Sequence, residues 1–492
     1  MLIPLEIPPG VYRNGTDFES SNRWLDSNLV RWHDGSLRPV GGWDTRKASA
    51  SASVPRGLHA WVDNSNGSAL ALGTHNKLYY IDASSTVTDI TPATGFTAGV
   101  VDAATNVAYG GGFWNNGMYG ITRPNTGVYQ EATTWSLDNF GQNLVACSST
   151  DGKLWEWTLN TSNKAAAIAN APTSNLSMVV TEERFIFALG AGGNPRKVQW
   201  CDKEANTVWS AAATNEAGDY ELQTTGQIMC GVRMRGSTLI LTDTDAHQAT
   251  YSGAPFVYGF QRVGTACGVA SRKSLVAIDQ GAFWLGANGF FMFDGSIATE
   301  LKCDVHDLVF RNISKSQISK AYAVHNSQHS EIWWFYTSEN STENDRYVTY
   351  DYKEGHWSVG ELDRTAAVDR GVFDNPIWAD ASGNLYNHEY GFAHGTGTPY
   401  AETGSISLGN GDQIMKVTKL IPDELNQGDV KITFKTRFHP NDTETSHGSF
   451  SSANPTSVRF SGRQIRYRVE GNKLADWRSG VMRIEADAGG GR

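Results

Sequence analysis

The chain has 492 residues, of which 40% are hydrophobic and only 19% are charged, so it has ample apolar surface for a core and is not a disordered polypeptide. Its formal charge is −10, which argues against a general phosphate-binding surface. No apolar run is long enough for a transmembrane helix, and the first residues lack the basic and apolar regions of a signal peptide.

The residue types favour short strands and tight turns. The chain has 51 glycines, 16 tryptophans and only 15 prolines. Its five cysteines are odd in number and far apart, which is typical of free thiols in a reducing compartment.

The N-terminal segment, residues 1–54, contains one clear hairpin signal. Residues 29–40 are strand-like on both sides of Asp34-Gly35, a dipeptide that accepts the positive φ angles of a two-residue turn. The segment does not match the repeat that follows it. We therefore predict an N-terminal arm that joins a platform.

Residues 55–395 contain a repeat in which a small polar turn precedes a short aromatic strand, as in Asp151-Gly152-Lys153-Leu154-Trp155-Glu156-Trp157. Most steps between successive aromatic anchors are close to the ~40–50 residues of a four-stranded propeller blade. The anchors are Tyr80, Trp157, Trp200, Tyr251, Phe293, Tyr350 and Tyr386. We predict an all-β fold in which this range forms a β-propeller of about seven blades, with each anchor on the third strand of its blade.

Further features of this range give more local predictions. The apolar runs 237–241 and 281–285 are predicted to be inner strands, and an extra segment at 111–114 lengthens the first step. Helical spacing over 305–313 predicts a short connecting helix between blades. We predict that Trp155, Trp157, Phe291 and Phe293 pack within or between blades.

After residue 395 the pattern changes. Residues 414–417, 430–435 and 463–469 alternate between apolar and polar, and the last run places Ile465, Tyr467 and Val469 opposite Arg466 and Arg468. Residues 440–457 are rich in Ser, Thr and Asn and are predicted to be a long exposed loop. We predict a smaller C-terminal β-domain, 396–492, that forms the platform together with the N-terminal arm.

Possible catalytic and metal-binding residues are isolated in the sequence. Asp243, Asp245 and His247 would share one strand face, and Cys303 and His306 have ligand spacing, but neither set has further ligands nearby. Glu182-Glu183 is typical of a charged turn, and the chain has neither a nucleophile elbow nor a phosphate loop. The sequence predicts no enzyme activity, no metal site and no cofactor.

Arginines are the strongest candidates for an interaction site. Residues 458–492 contain seven arginines and one lysine but only four acidic residues. Guanidinium groups make bidentate contacts with carboxylates at subunit interfaces. The alternatives are solvated strand faces and, less favoured, contact with DNA. The predicted assembly interface consists of Arg31, Arg38, Arg463, Arg466, Arg468 and Arg478.

Four stretches of the chain resemble tail proteins of tailed bacteriophages. The first is LIPLEIPPGVYRNGTDFES…RWLDSNLVRWHDGSLRPVGGW, and the others are residues 193–222, 331–357 and 462–492. The overall layout is similar to the tail nozzle, or packaged-DNA-stabilisation, proteins of short-tailed phages. This resemblance implies a hexameric ring built on β-propellers, made in the host cytoplasm and located in the virion tail, below a ring of adaptor subunits under the portal. It implies no catalytic residues.

The composition is compatible with this role. Many tryptophans and few charges suit large buried interfaces, and an acidic ring would repel double-stranded DNA from its lumen, so that DNA passes without specific binding. We therefore expect a nozzle that retains packaged DNA, conducts it during ejection, and contacts the adaptor ring and the tail fibres, spikes or needle. The alternatives are a tail-tip or fibre-attachment propeller that binds a receptor and, less favoured, a glycan-degrading tail enzyme.

Overall fold

The computed structural model describes residues 1–16, 19–105, 129–408, 413–451, 455–472 and 474–489. The extra segment noted at 111–114 lies outside these residues. The described chain is almost entirely β-structure, as predicted, and none of its helices is long and apolar enough to span a membrane.

The N-terminal region supplies strands to three different parts of the molecule. Its strands are β1 (Leu2–Pro4), β2 (Trp24–Asn28), β3 (Val30–His33), β4 (Ser36–Pro39) and β5 (Trp43–Lys47). Strands β3 and β4 form the predicted hairpin. Its two turn residues, Asp34 and Gly35, have φ angles of 49° and 75°, which a type I′ turn requires.

Seven four-stranded antiparallel sheets form the propeller, which confirms the predicted fold class. The first six, from inner to outer strand, are β6–β9 (Pro55–Val62, Ser68–Thr74, Leu78–Ile81, Val87–Asp89), β12–β15 (Trp135–Phe140, Asn143–Ser148, Leu154–Trp157, Ala166–Ala167), β16–β19 (Ser177–Val180, Ile186–Leu189, Lys197–Trp200, Gly218–Glu221), β20–β23 (Ile228–Met234, Ser237–Thr242, Asp245–Gly253, Val257–Thr265), β24–β27 (Leu275–Ile278, Gly281–Leu285, Phe290–Phe293, Ala298–Leu301) and β28–β31 (Tyr322–Asn326, Glu331–Thr337, Asn344–Asp351, His356–Glu361). The seventh contains β32 (Ala366–Val368), β33 (Ile377–Ala379) and β34 (Leu385–His388), with β5 as its outer strand.

Short elements connect some of the blades. Strands β10 (Ala104–Thr105) and β11 (Tyr129–Gln130) pair with each other between the first two blades. Helix α1 (His306–Asn312) lies between the fifth and sixth blades, where the helical spacing predicted it. Two 3₁₀ turns span Ala191–Gly193 and Ile318–Lys320.

The propeller ring is closed by the N-terminal region. Each inner strand contacts the inner strand of the next blade, and β32 contacts β6 to complete the circle. Strand β5, which lies in the range 1–54 that we had assigned to the arm, pairs with β34 in the seventh blade. Without β5, strand β34 would have an unpaired edge, so the propeller needs a strand from the opposite end of the chain.

Each aromatic anchor lies on the third strand of its blade, as predicted. The prediction that residues 237–241 and 281–285 form inner strands was wrong. They lie in β21 and β25, which are the second strands of their blades. Second strands are buried between neighbouring sheets, and every residue of these two strands is buried. Inner strand β20 instead includes the exposed Arg233, because it faces the central channel. Continuous hydrophobicity therefore marks the second strand of a blade.

Aromatic side chains fill the spaces between blades. Trp155 and Trp157 are buried with Trp61 and Trp135 between the first and second blades. Phe293 is also buried, and the half-buried Phe291 stacks on Trp284 with ring centroids 5.9 Å apart. The four aromatics singled out in the sequence thus pack within or between blades, as predicted.

The platform is a pair of sheets built from both ends of the chain, as predicted. One sheet has the order β1, β42 (Arg483–Ala488), β37 (Met415–Ile421) and β40 (Thr456–Gly462). The other has the order β2, β35 (Tyr400–Thr403), β41 (Gln464–Gly471), β38 (Val430–Arg437) and β39 (Thr445–Ser451), with β36 (Ile406–Ser407) also paired to β41. Apolar residues of both sheets, including Val417, Phe434, Tyr467 and Ile484, share one buried cluster.

The prediction of a loop over 440–457 was wrong, because this range contains β39 and the start of β40. The cysteines agree with the sequence analysis. All are free, four are buried, and Cys303 is half-buried.

Candidate assembly surface

The six predicted interface arginines occupy three different settings. Arg31 lies inside the molecule. Arg38 and Arg478 lie near each other where the β3–β4 hairpin meets the C-terminal segment. Arg463, Arg466 and Arg468 lie at the start of, or along, platform strand β41.

Arg31 forms ion pairs with two carboxylates of its own chain. Its side chain is only 5% exposed. Its Nε and Nη2 atoms donate hydrogen bonds to Glu331 over 2.8 and 3.0 Å, and Nη2 also donates to Oε1 of Glu389 over 2.6 Å. Although burial disfavours the ionised form, the charges of Arg31 and His329 hold the pKa of Glu389 well below its usual value. Arg31 therefore joins the hairpin to the sixth and seventh blades, and the assembly-interface prediction is wrong for this residue.

Arg38 and Arg478 place two like charges side by side. The bridge between Leu37 and Ser479 brings their chain segments together. Burial and the charge of Arg478 lower the pKa of Arg38, and the nearby carboxylate of Asp476 partly offsets this effect. Arg478 is 44% exposed and lies 3.5 Å from Asp476. A carboxylate from a second molecule would relieve the repulsion between the two guanidinium groups.

Arg466 and Arg468 lie on the outer face of β41, opposite the buried side chains of the same strand, as the alternation predicted. Nε of Arg466 lies 3.1 Å from Glu444. Nη1 of Arg468 lies 3.7 Å from Glu402, and its guanidinium lies 3.4 Å from the centre of the Tyr400 ring. On this outer face, the two arginines therefore lie close to acidic side chains of the same chain. Both arginines remain partly exposed.

Arg463 precedes β41 and is half-buried. Its backbone N–H donates to the carbonyl of Arg437 over 3.2 Å, which aligns the start of β41 with the end of β38. The structure thus brings Arg463, Arg466 and Arg468 onto one platform sheet and places Arg38 and Arg478 at a separate surface.

Strand β39 is the surface feature that the sequence analysis missed. It lies at the edge of its sheet, where it pairs with β38, and in the described ranges no strand pairs with its other edge. Its sequence, TSHGSFS, contains no Lys, Arg, Asp, Glu or Pro, and five of its seven residues are exposed. Natural edge strands are usually protected by charges, proline or a covering element. Alternation could not reveal this strand, because neither of its faces is fully buried.

The central channel of the propeller contains a cavity of about 400 Å³. Asp138 lies 3.9 Å from both His59 and Arg233 at its wall. Burial lowers the pKa of His59, and burial also lowers the pKa of Lys273, to about 8. The cavity is lined by the cationic residues Arg233, Arg272 and Lys273 and by the acidic Asp138, and we assign no reaction to it.

The weak metal-ligand candidates lie in strand β22, in the turn before it and at the start of helix α1. Oδ1 of Asp245 lies 3.1 Å from Nε2 of His247 and accepts a hydrogen bond from Thr224 over 2.9 Å. Asp243 accepts a backbone hydrogen bond from Gln227. Nε2 of His306 lies 2.9 Å from the carbonyl oxygen of Asn288.

No known family model matches the chain, and no curated protein sequence matches it. Some solved structures are similar to the chain at low identity and with TM-scores below 0.5. Virginiamycin B lyase from Staphylococcus aureus is 7% identical with a TM-score of 0.45, covering 70% of this chain and 98% of the lyase chain. The WD40 domain of Pan2 from Neurospora crassa is 9% identical with a TM-score of 0.39, covering 72% of this chain and 95% of that domain. The first of these is named as an enzyme, but a likeness at this identity concerns the fold and transfers no activity.

Proposed function

We propose that this chain is the structural subunit of a ring-shaped nozzle in the tail of a short-tailed bacteriophage, which retains packaged DNA and conducts it during ejection. The resemblance of four sequence stretches to phage tail proteins motivates the proposal. The observation that carries it is the uncharged, exposed edge strand β39 on the platform.

An edge strand of this kind favours assembly through the platform. Its free N–H and C=O groups can pair with another chain, which is a hazard for a monomer. In a closed ring, each subunit offers one surface to the next and receives a different surface from the previous one. Such a ring covers the β39 edge of every subunit, and we propose six copies.

The partly exposed arginines complement this arrangement. Arg38 and Arg478 are partly exposed cations on a chain whose formal charge is −10. They suit a carboxylate of a neighbouring subunit or of the adaptor ring, because charge complementarity sets register and suppresses wrong pairing. In this arrangement the platform makes the ring contacts, and the propeller is available for contacts with fibres, spikes or a needle. We propose no catalytic role for the chain.

Two measurements test the proposal. One is the mass of the assembled protein, and the other is the effect on assembly of a lysine placed on strand β39. Native mass spectrometry of the purified chain, with its adaptor ring where assembly needs it, is expected to show six copies of 53.7 kDa. Ser449→Lys on β39 is expected to give a folded monomer, because a lysine on an edge strand opposes further pairing. The matched control is Ser296→Lys, on the exposed turn that follows β26, which is expected to assemble normally.

Three results would contradict the proposal. One is a chain that stays monomeric with every tail component present. A second is a chain that leaves the virion together with stripped fibres and binds host cells when purified, which is the behaviour of a tail-tip protein. The third is release of sugars from capsule or lipopolysaccharide, which is the behaviour of a tail enzyme. Normal rings from Ser449→Lys would exclude β39 as the ring-forming edge.

A further inference from the structure

A cluster of side chains lies where the N-terminal segment crosses the sixth blade. Asp351 ends strand β30, His356 begins strand β31, and Glu354 lies in the turn between them. One potential ligand atom from each of these residues lies within 4.8 Å of the other two. The chain therefore brings two carboxylates and one imidazole together through a single tight turn.

The carboxylates keep oxygen atoms free for a ligand. Oδ1 of Asp351 accepts the backbone N–H groups of Lys353 and Glu354, each over 2.8 Å, and these bonds leave Oδ2 unused. Oε1 of Glu354 accepts the backbone N–H of Asp34 over 3.0 Å and lies 3.2 Å from Nδ1 of His33. These contacts orient Glu354 so that its other oxygen, Oε2, faces His356.

His356 is buried without a hydrogen-bond partner. The residue is 8% exposed, and Nδ1 lies 3.9 Å from Oε2 of Glu354, which is too far for a hydrogen bond. Within the described residues, neither ring nitrogen makes a hydrogen bond. The edge of Trp32 packs against the ring at a centroid distance of 6.1 Å, and Gly10 approaches so closely that a Cβ at that position would lie 2.7 Å from Cβ of His356. The imidazole is thus held in place and aimed at two carboxylates.

A divalent ion would satisfy all three groups. Metal–ligand distances of about 2.0–2.2 Å place neighbouring ligand atoms roughly 3–4 Å apart, which is close to the observed spacing. A cavity of about 110 Å³ borders the two carboxylates on the side away from His356, where Arg31 and Lys353 also line it, and it offers space for bound water.

We propose that Asp351, Glu354 and His356 bind a divalent transition-metal ion of the zinc class. One imidazole with two carboxylates is a ligand set that suits Zn²⁺. His33 and the backbone of Asp34 hold Glu354 from the β3–β4 hairpin, so the ion connects that hairpin to the sixth blade. Contacts of this kind to a ligand residue commonly change metal affinity by about 10–100-fold when they are removed. The site is separate from the ring-forming edge and does not depend on the proposed function.

The test is titration of Zn²⁺ alone into the EDTA-treated and dialysed full-length chain, in competition with a fluorescent chelator. We expect one ion per chain and an upward shift of the melting temperature. Asp351→Asn keeps an oxygen acceptor for the two backbone N–H groups but removes the anionic ligand, and His356→Phe keeps the ring packing but removes both nitrogens. Each variant is expected to melt normally without metal and to bind Zn²⁺ at least tenfold more weakly.

The control is His306→Ala, which removes an exposed histidine beside Asp307 and close in sequence to the thiol of Cys303. It is expected to bind Zn²⁺ like the wild type. Co²⁺ bound in place of Zn²⁺ is expected to show ligand-field bands without a thiolate charge-transfer band. Unchanged affinity in Asp351→Asn and His356→Phe, loss of binding in His306→Ala, or a thiolate band would each overturn the assignment. A larger loss in His33→Ala than in His356→Phe would do the same, because the ion would then lie among His33, Asp34 and Glu354, which form a second, exposed cluster.

Discussion

Replacing Arg31 by Gln is expected to destabilise the protein strongly, because it removes the guanidinium that pairs with two buried carboxylates. Glu331 is 4% exposed, and the side chain of Glu389 is 3% exposed. Removing one partner of a buried ion pair costs about 3–5 kcal/mol of folding free energy. Both carboxylates lose the guanidinium, while His329 stays 3.3 Å from Glu389, so we expect a loss within that range.

The effect has a characteristic pH dependence. In the wild type, the pKa of Glu389 is depressed on folding, so its contribution to stability is present at neutral pH and is lost as the pH falls through the folded-state value. In the variant the charge of Arg31 is gone, so burial, the largest influence on Glu389, raises the pKa of this carboxyl group. The stability of the variant therefore decreases as the pH rises. We expect the difference in free energy of unfolding between wild type and variant to be smaller at about pH 5 than at about pH 7.5.

The assay is urea unfolding followed by tryptophan fluorescence at both pH values. Arg38→Gln is the matched control, because Arg38 is the cross-strand partner of Arg31 in the same hairpin but is only partly buried. The free energy of unfolding of Arg38→Gln is expected to lie within about 0.5 kcal/mol of the wild-type value. Equal stabilities for the two variants would refute the assigned role of Arg31, as would a deficit of Arg31→Gln that grows at lower pH.

Three further predictions concern the propeller. Trp155→Ala is expected to cost about 3–5 kcal/mol in urea unfolding because Trp155 fills the space between two blades, whereas Phe256→Ala, at a position that is 82% exposed, is expected to change stability by less than about 0.5 kcal/mol. Deleting residues 1–47 removes β5 and exposes the edge of β34, so limited proteolysis is expected to cut near residue 388; a variant as resistant as the wild type would show that β5 is dispensable. Ellman's reagent is expected to react with the five thiols only after unfolding, because burial raises the pKa of Cys147 and Cys303 to about 12; rapid reaction of the native chain would contradict this.

The sequence alone was sufficient to predict the elements that depend on local pattern. The turn-plus-aromatic unit places Tyr80, Trp157 and the other anchors on third strands, because each blade repeats the same hairpin chemistry. Asp34-Gly35 predicts its turn because both residues accept positive φ. The alternation in β41 predicts which side chains are buried and which arginines face outward, because successive residues of a strand point to opposite faces.

Only the tertiary structure decided which distant segments meet. Strand β5 closes a blade whose other strands lie more than 300 residues later, and no local signal identifies its partner. For the same reason the sequence could not distinguish Arg31, which is buried between two blades, from Arg38 on the facing strand of one hairpin. His356 acquires its packing from Trp32 and Gly10 only when the N-terminal segment crosses the sixth blade. Residue type and spacing determine strands and their faces, but burial and charge pairing depend on contacts between segments that folding brings together.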